Sequence, residues 1–197
     1  MSSYLRPQSL LRLLAVSGFL LAGSAQADMY GDVSALTKAG NTAEAIAKAD
    51  QYLSSNSRDP QMRFLKGVAQ SKAGDLQAAA ATFEALIQEY PELPEPYNNL
   101  AVIYANNGEL NKARDALEMA VRNNPNYAVA HENLGDIYAR LAHASYNNSI
   151  KLNSNNRALK LKLSTLTEML QRSNAFSLTG PAMCWPCLDH TQTLPCA

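Results

Sequence analysis

The residues with the clearest capacity for chemistry lie together near the carboxyl terminus. Cys184 and Cys187 form a C-x-x-C pair, and His190 and Cys196 follow, so that four soft ligands lie within thirteen residues. Such ligands suit a zinc ion. A C-x-x-C pair also suits thiol–disulfide exchange, although this segment lacks the strand-then-helix setting that lowers the thiol pKa. We favour a flexible tail with an incidental disulfide and one spare thiol; an altered reading frame after Phe176 would also explain the abrupt change of composition.

No other stretch of the sequence shows a catalytic pattern. There is no glycine-rich phosphate loop, no nucleophile elbow and no HExxH, and only three histidines occur. We expect His131 to pack between helices, since histidine is often partly buried, and His143 to be solvated. The sequence therefore predicts neither an enzyme nor a bound cofactor, and it offers no catalytic residue.

The middle of the chain repeats itself at a fixed interval. The letters "NNLAVIYAN" at 98–106 return 34 residues later as "ENLGDIYAR" at 132–140. Several sets of small or turn residues recur at the same spacing: Gly67, Ala101 and Gly135; Gly40, Gly74 and Gly108; Ala45, Ala79 and Ala113; Pro91 and Pro125. This period indicates stacked helical repeats, in which each unit needs its neighbours to bury its apolar face.

These letters resemble the tetratricopeptide repeat, a helix–turn–helix unit of about 34 residues. Residues 94–127 match its pattern best, residues 60–93 match well, residues 26–59 match weakly, and residues 128–156 form a shortened fourth copy. The matches in the best copy are Tyr97, Leu100, Ala101, Tyr104, Gly108, Ala113, Leu117, Ala120 and Pro125. The resemblance implies an all-α fold, a right-handed superhelical stack over residues 28–156.

The spacing within one repeat has a physical reason. Small side chains at Ala101 and Ala113 let two antiparallel helices approach closely, while Leu117 fills the space between them. Gly108 is expected to end the first helix with a positive φ, which glycine adopts at no steric cost. Pro125 is expected to stop the second helix, because proline lacks the N–H that a helix interior needs.

The fourth copy lacks the turn between its two helices. Tyr104 and Ala113 are nine steps apart, whereas the corresponding Tyr138 and Ala142 are only four steps apart, and the turn glycine is missing. We therefore predict one long helix over about 128–152.

An amphipathic segment at 157–173 is predicted to form a helix that caps the stack. Its leucines recur at helical spacing, at Leu159, Leu163, Leu166 and Leu170, and Lys160 and Lys162 lie outside that stripe. Terminal units of a repeat stack are expected to be atypical.

Residues 1–27 have the pattern of a secretory signal peptide. A basic start is followed by the apolar run "LLAVSGFLLA" and by small residues at Ala25 and Ala27. Ten apolar residues are too few to span a bilayer as a helix. We predict cleavage after Ala27, a periplasmic or secreted protein without a stable membrane span, and a flexible cysteine-containing tail at 174–197.

The charge balance bears on the choice of partner. Seventeen basic residues balance seventeen acidic ones, without a polybasic block, so a nucleic acid partner is not expected. The family resemblance implies that a protein or peptide binds the concave side, which the first helices line. The residues placed there by the repeat frame are Asn98, Asn99, Val102, Glu132, Asn133, Asp136 and Arg140.

The sequence interpretation is thus an exported scaffold or adaptor that binds a protein or peptide in its groove and serves envelope assembly or maintenance. Two alternatives stay open. One is a redox or metal-binding helper that acts through Cys184, Cys187, His190 and Cys196. The other is a self-associating structural module, that is, a homo-oligomer.

Overall fold

The structure is a computed structural model that describes residues 29–173. The predicted signal peptide at 1–27 and the cysteine tail at 174–197 lie outside the described residues. Within 29–173 the chain forms eight α-helices and no strand, as the predicted all-α class requires. These residues divide into two compact units, one ending at Asp75 and the other beginning at Leu76.

The first unit contains three helices. Residues 29–39 form α1, Thr42–Leu53 form α2 and Pro60–Lys72 form α3. Helix α3 begins with a side-chain cap, because the Asp59 carboxylate accepts a hydrogen bond from the Met62 backbone N–H. One apolar cluster of this unit consists of Val33, Ala45, Ala49, Met62 and Ala69.

The second unit contains five helices. These are α4 (Leu76–Glu89), α5 (Pro94–Asn106), α6 (Leu110–Asn123), α7 (Ala128–Leu152) and α8 (Arg157–Ser173). Each of them packs against the next along the chain. Their main apolar cluster holds Tyr97, Ala101, Ala105, Ala113, Leu117, Ala120, Ala130 and Ile137.

The turn between α5 and α6 is formed as the sequence predicts. Gly108 has φ +78°, a backbone conformation that residues with a Cβ rarely adopt. Beside it, the Glu109 N–H donates to the Tyr104 carbonyl over 2.8 Å, which satisfies one of the last carbonyls of α5. Ala101 and Ala113 are both buried where α5 and α6 pack together.

The fourth repeat has no such turn. Helix α7 runs for 25 residues from Ala128 to Leu152, so the prediction of one long helix is confirmed. Gly135, which corresponds to the buried Ala101, lies exposed in the first third of this helix.

Helix α8 packs back against the second half of α7. Its half-buried side chains include the four leucines of the predicted stripe, Leu159, Leu163, Leu166 and Leu170, whereas Leu161 is 68% exposed. The prediction that Arg157–Ser173 forms a helix with this buried face is confirmed. Among the described residues no helix is long and apolar enough to cross a membrane.

The structure corrects the expected environments of both histidines in α7. His131 is exposed, because no second helix of the described chain covers this part of α7. Its ring N–H donates to the Pro125 carbonyl over 2.9 Å. His143 is half-buried rather than solvated. Its Nε2 lies 3.2 Å from the Thr167 hydroxyl, which itself donates to the Leu163 carbonyl, so His143 is the donor to Thr167. His143 lies in the continuous helix α7, as predicted, but α8 covers this side of α7, so the side chain is not solvated.

Candidate functional site

The predicted binding residues all lie in the second unit. Helix α5 carries Asn98, Asn99 and Val102, and α7 carries the others, Glu132, Asn133, Asp136 and Arg140. One direct contact joins the two sets. The Asn133 amide donates to the Asn98 side-chain oxygen over 2.9 Å.

This asparagine pair is buried. Asn98 is only 5% exposed and Asn133 only 6%. The sequence interpretation had placed both amides on the surface that meets a ligand, and the structure corrects that placement. The two side chains face each other because a buried amide needs a hydrogen-bond partner, and each amide provides one for the other. They tie the first helices of successive repeats together.

Asn99 occupies a different environment from Asn133, although both hold the same position in their repeats. It is half-buried, and its amide donates to the Glu95 backbone carbonyl over 2.9 Å, within α5. This bond orients the side chain and uses one N–H, so the side-chain oxygen stays available as an acceptor. Asn99 is therefore the one asparagine of the predicted set that can still meet a ligand.

The remaining predicted residues reach solvent. Glu132 is exposed, and Val102, Asp136 and Arg140 are half-buried. Together with Asn99 they form what we call the binding face: one apolar side chain, one amide, two carboxylates and one guanidinium. Such a mixture suits a ligand with both polar and apolar groups.

A buried acid lies beside this face and was missed by the sequence reasoning. Glu95, in the first turn of α5, is 5% exposed, and this burial raises the pKa of its carboxyl group. The Tyr127 hydroxyl is also buried, and no hydrogen-bond partner for it occurs in the part of the chain that the structure describes. Burial, and then the nearby Glu95 charge, raise the Tyr127 pKa. No repeat landmark falls on Glu95, so the pattern could not reveal its burial.

Two equivalent tyrosine–glutamate contacts hold α5 and α7 to the helix that precedes each of them. The Tyr104 hydroxyl donates to Glu84 over 3.0 Å, and the Tyr138 hydroxyl donates to Glu118 over 2.9 Å. Both members of the second pair lie 34 residues after those of the first. The period would have revealed this contact if the glutamates had been included in the pattern.

A second polar cluster lies in the first unit. The hydroxyls of Tyr30 and Tyr52 both donate to the Asp59 carboxylate, the Tyr52 contact being 3.0 Å long. These residues, with Ser55, Asn56, Ser57 and Arg58, line an open cleft of about 470 Å³. Because Asp59 also caps α3, the cluster ties α1 and the end of α2 to the start of α3.

The described residues contain no group of three or more His, Cys, Asp or Glu side chains that could hold a metal ion. The weak metal candidates Cys184, Cys187, His190 and Cys196 lie outside that range. Whether they bind zinc stays a prediction.

Comparison with known proteins identifies the class to which this geometry belongs. Two family models, both described as tetratricopeptide repeat, match residues 32–94 and 70–141. The chain therefore belongs to the tetratricopeptide-repeat family, which confirms the resemblance drawn from the spacing. No curated protein matches the chain.

Solved structures with a similar fold include repeat proteins from two bacteria. A thermophilic tetratricopeptide-repeat protein of Thermus thermophilus has 23% sequence identity and a TM-score of 0.55, and the match covers 75% of this chain and 84% of that one. MamA of Desulfovibrio magneticus, from its residue 41 to its end, has 21% identity and a TM-score of 0.51, covering 74% and 75%. At these identities the likeness shows the fold alone.

Proposed function

We propose that this protein is an exported scaffold that binds a protein or peptide partner on the binding face of α5 and α7. Membership of the tetratricopeptide-repeat family supports a role in protein–protein interaction. The observation that carries the proposal is the buried Asn98–Asn133 hydrogen bond. It fixes one first helix against the next and leaves Asn99, Val102 and Asp136 beside it, in contact with solvent.

Because the Asn98–Asn133 hydrogen bond fixes α5 against α7, the binding face is preorganised before a ligand binds. Preorganised side chains lose less conformational entropy when they bind, so more of the contact energy appears as affinity. The Asn99 oxygen can accept from a peptide N–H, Arg140 can donate to a carbonyl or carboxylate, and Val102 offers an apolar contact. An extended peptide of mixed polar and apolar character fits this set.

Site-specific photo-crosslinking in the native host would test the binding face. A photoreactive amino acid replaces Val102 in one variant and the exposed Arg122 of α6 in a matched control. We expect discrete adducts with another protein from position 102 and few or none from position 122. Equal adducts from both positions, or none from 102 in cells that express a folded protein, would contradict the proposal.

Export and a role in envelope assembly or maintenance are the finer part of the proposal. They rest on the signal-peptide pattern of residues 1–27. Amino-terminal sequencing of the protein from its native host should find a first residue at Asp28 or within one or two positions of it. A mature protein that begins at Met1 or Ser2 would remove both the periplasmic or secreted location and the envelope role.

The cysteine tail supports a second candidate, a redox or metal-binding helper. Its basis is the presence of four soft ligands within thirteen residues of sequence. Free-thiol titration and zinc analysis of the purified protein separate the cases. One mole of zinc per chain would favour the metal helper, and a C-x-x-C pair that cycles between dithiol and disulfide would favour the redox helper. One stable disulfide with one free thiol would favour the plain tail.

A further inference from the structure

Helix α7 has one face that the other helices of the described chain leave largely open, although the Tyr138 hydroxyl at its edge donates to Glu118 of α6. Six residues define this open face: His131, Gly135, Tyr138, Ala142, Tyr146 and Ser149. At about 100° per residue they fall within an arc of roughly 80°. Ala142 and Tyr146 are half-buried and the other four are exposed, Tyr138 by 48%. This face is distinct from the binding face, whose α7 residues Glu132, Asp136 and Arg140 lie roughly 80°, 120° and 160° away from its centre around the helix.

The neighbours of α7 cover its other sides. Leu134, Ile137 and Leu141 pack in the apolar cluster that also contains Leu117 and Ala120 of α6. His143 faces α8 through its bond to Thr167. The open face lies between these two directions.

In the third repeat the equivalent face is covered. Tyr97 and Ala101 of α5 correspond to His131 and Gly135, and both are buried in the cluster that includes Ala113 and Leu117 of α6. At Gly135, by contrast, no atom of the described chain outside the helix backbone lies within 4 Å of the place where a Cβ would be. The described part of the chain thus leaves space beside Gly135, where the third repeat has its second helix beside Ala101.

The open face carries two contact sets that belong together. His131 and Gly135, in its first half, correspond to the α5 residues that pack against the second helix of the third repeat. Its second half, Ala142, Tyr146 and Ser149, has the spacing of Ala113, Leu117 and Ala120, by which a second helix packs on its first. The two sets cannot meet within one chain, because the turn between them is missing and α7 is continuous.

We propose that two copies of this chain associate through their α7 helices, antiparallel and about a two-fold axis. Each copy places the second half of its open face on the first half of the other's and so supplies the missing second helix of the fourth repeat. A second copy is the occupant because it carries both contact sets in the matching order. A two-fold interface requires this kind of self-complementarity.

The register of the pair follows from the third repeat. Ala101 of α5 and Ala113 of α6 are small, fully buried and members of the same cluster, so we take them as the pair that faces each other across these two helices. Gly135 of one copy then lies opposite Ala142 of the other, and His131 lies opposite Tyr146. Both pairings centre on one point between Tyr138 and Ala139, so a single axis satisfies them.

The composition of the open face suits a close contact. It holds no Asp, Glu, Lys or Arg, and Gly135, Ala142 and Ser149 are small enough for two helix backbones to approach. Association would cover the exposed Tyr138 ring.

Sedimentation of the purified protein over a dilution series tests the association, with Gly135→Arg as the disrupting variant. Arginine has room at this position in a single copy, whereas it meets the second copy's α7 in the pair. We expect the parent to dimerise and Gly135→Arg to raise the dissociation constant at least about tenfold, since a charge would be buried without a partner. Leu161→Arg, on the exposed side of α8, is the matched control and should dimerise like the parent. A parent that stays monomeric, or a Gly135→Arg protein that dimerises like it, overturns the proposal, as does loss of the dimer in the control alone.

Disulfide trapping tests the register. In a background with Cys184, Cys187 and Cys196 replaced by serine, one protein carries Gly135→Cys and a second carries Ala142→Cys. Mixing them under oxidation should give a covalent heterodimer rapidly. Gly135→Cys alone should not, because the two copies of residue 135 lie about 10 Å apart along the helix pair, and a disulfide needs Cα atoms closer than about 7 Å. Equal trapping in the mixture and in the single variants would contradict this antiparallel register.

Discussion

The third and fourth repeats have closely similar first helices in different surroundings. Residues 98–106 and 132–140 match in five of their nine letters, and α5 and α7 both continue the chain from a preceding second helix. Yet Ala101 is buried against α6, while the corresponding Gly135 is exposed. The deletion of one turn, and not a change in the first helix itself, separates the two environments.

The contacts of each first helix with the preceding repeat are independent of that turn. The Tyr104–Glu84 and Tyr138–Glu118 hydrogen bonds have nearly the same length, 3.0 and 2.9 Å. Ile137 remains buried in the cluster that includes α6 residues. A repeat thus has two separate contact sets, one for its predecessor and one for its own second helix, and the fourth repeat retains only the first within a single chain.

The largest expected difference between the two repeats concerns overpacking. Ala113→Leu should lower the free energy of unfolding by about 1–3 kcal/mol, because extra atoms at a fully packed helix contact force backbone or rotamer shifts. Ala142→Leu, at the corresponding position of α7, should cost less than about 0.5 kcal/mol in dilute protein, since this site is only half-buried.

Chemical denaturation of both variants and the parent would measure this difference. Equal losses at the two positions would mean that α7 is covered as α6 is. An unchanged stability for Ala113→Leu would mean that the repeat frame itself is misplaced.

The second prediction concerns the contact set that both repeats retain. Asn133→Ala should cost about 1–3 kcal/mol, because it leaves the buried Asn98 oxygen without its donor. Asn99→Ala is the matched control; its side chain is half-buried, so the loss should stay within about 0.5 kcal/mol. Thermal melts of the two variants would compare them. Similar melting temperatures would show that the asparagine pair contributes nothing to the packing of α7 on α5.

The repeat period was sufficient to predict the helices, the long α7, the turn at Gly108 and the capping helix. Each of these depends on local features, such as a glycine with positive φ or a leucine stripe at helical spacing. The environments of Asn133 and His131 were not predictable in this way. Asn133 is buried because it pairs with Asn98 of the preceding repeat, and His131 is exposed because the segment that would form the second helix of its repeat continues α7 instead. Both environments depend on contacts between residues that are distant in the sequence, and packing between helices decides these contacts.

The third prediction concerns pH and again separates the two repeats. Burial raises the pKa of Glu95 in α5, whereas the corresponding residue of α7 is Val129, which does not titrate. The carboxyl group of Glu95 therefore binds its proton more tightly in the folded protein than in the unfolded chain. The associated stability is fully present below about pH 4.5, the ordinary value of the group, and is lost as the pH rises through the raised pKa.

Glu95→Gln should remove the loss of stability that the parent shows as the pH rises through the raised pKa of Glu95. Its free energy of unfolding should exceed that of the parent at pH 7, and the difference should shrink towards pH 4. Urea titrations at several pH values would measure it. A difference that grows towards low pH would mean that Glu95 is stabilised in its charged form by a group not yet recognised.

The smallest expected effect is at the position that best distinguishes the two repeats, the small residue at the centre of each first helix. Gly135→Ala should raise the free energy of unfolding by up to about 1 kcal/mol, because alanine restricts the unfolded chain and favours a helix interior more than glycine does. Nothing in the described chain opposes the added methyl group, since the space beside it is empty. The reverse change in the third repeat, Ala101→Gly, should lower stability by a similar propensity term and additionally by the loss of a packed methyl group.

Association through α7 should survive Gly135→Ala, because the equivalent contact between α5 and α6 is made by two alanines. Calorimetry and sedimentation of the two variants would therefore show opposite shifts in stability and, for Gly135→Ala, an unchanged dissociation constant. A destabilised Gly135→Ala protein would mean that Gly135 is already in close contact within a single copy, and the fourth repeat would then be closed like the third.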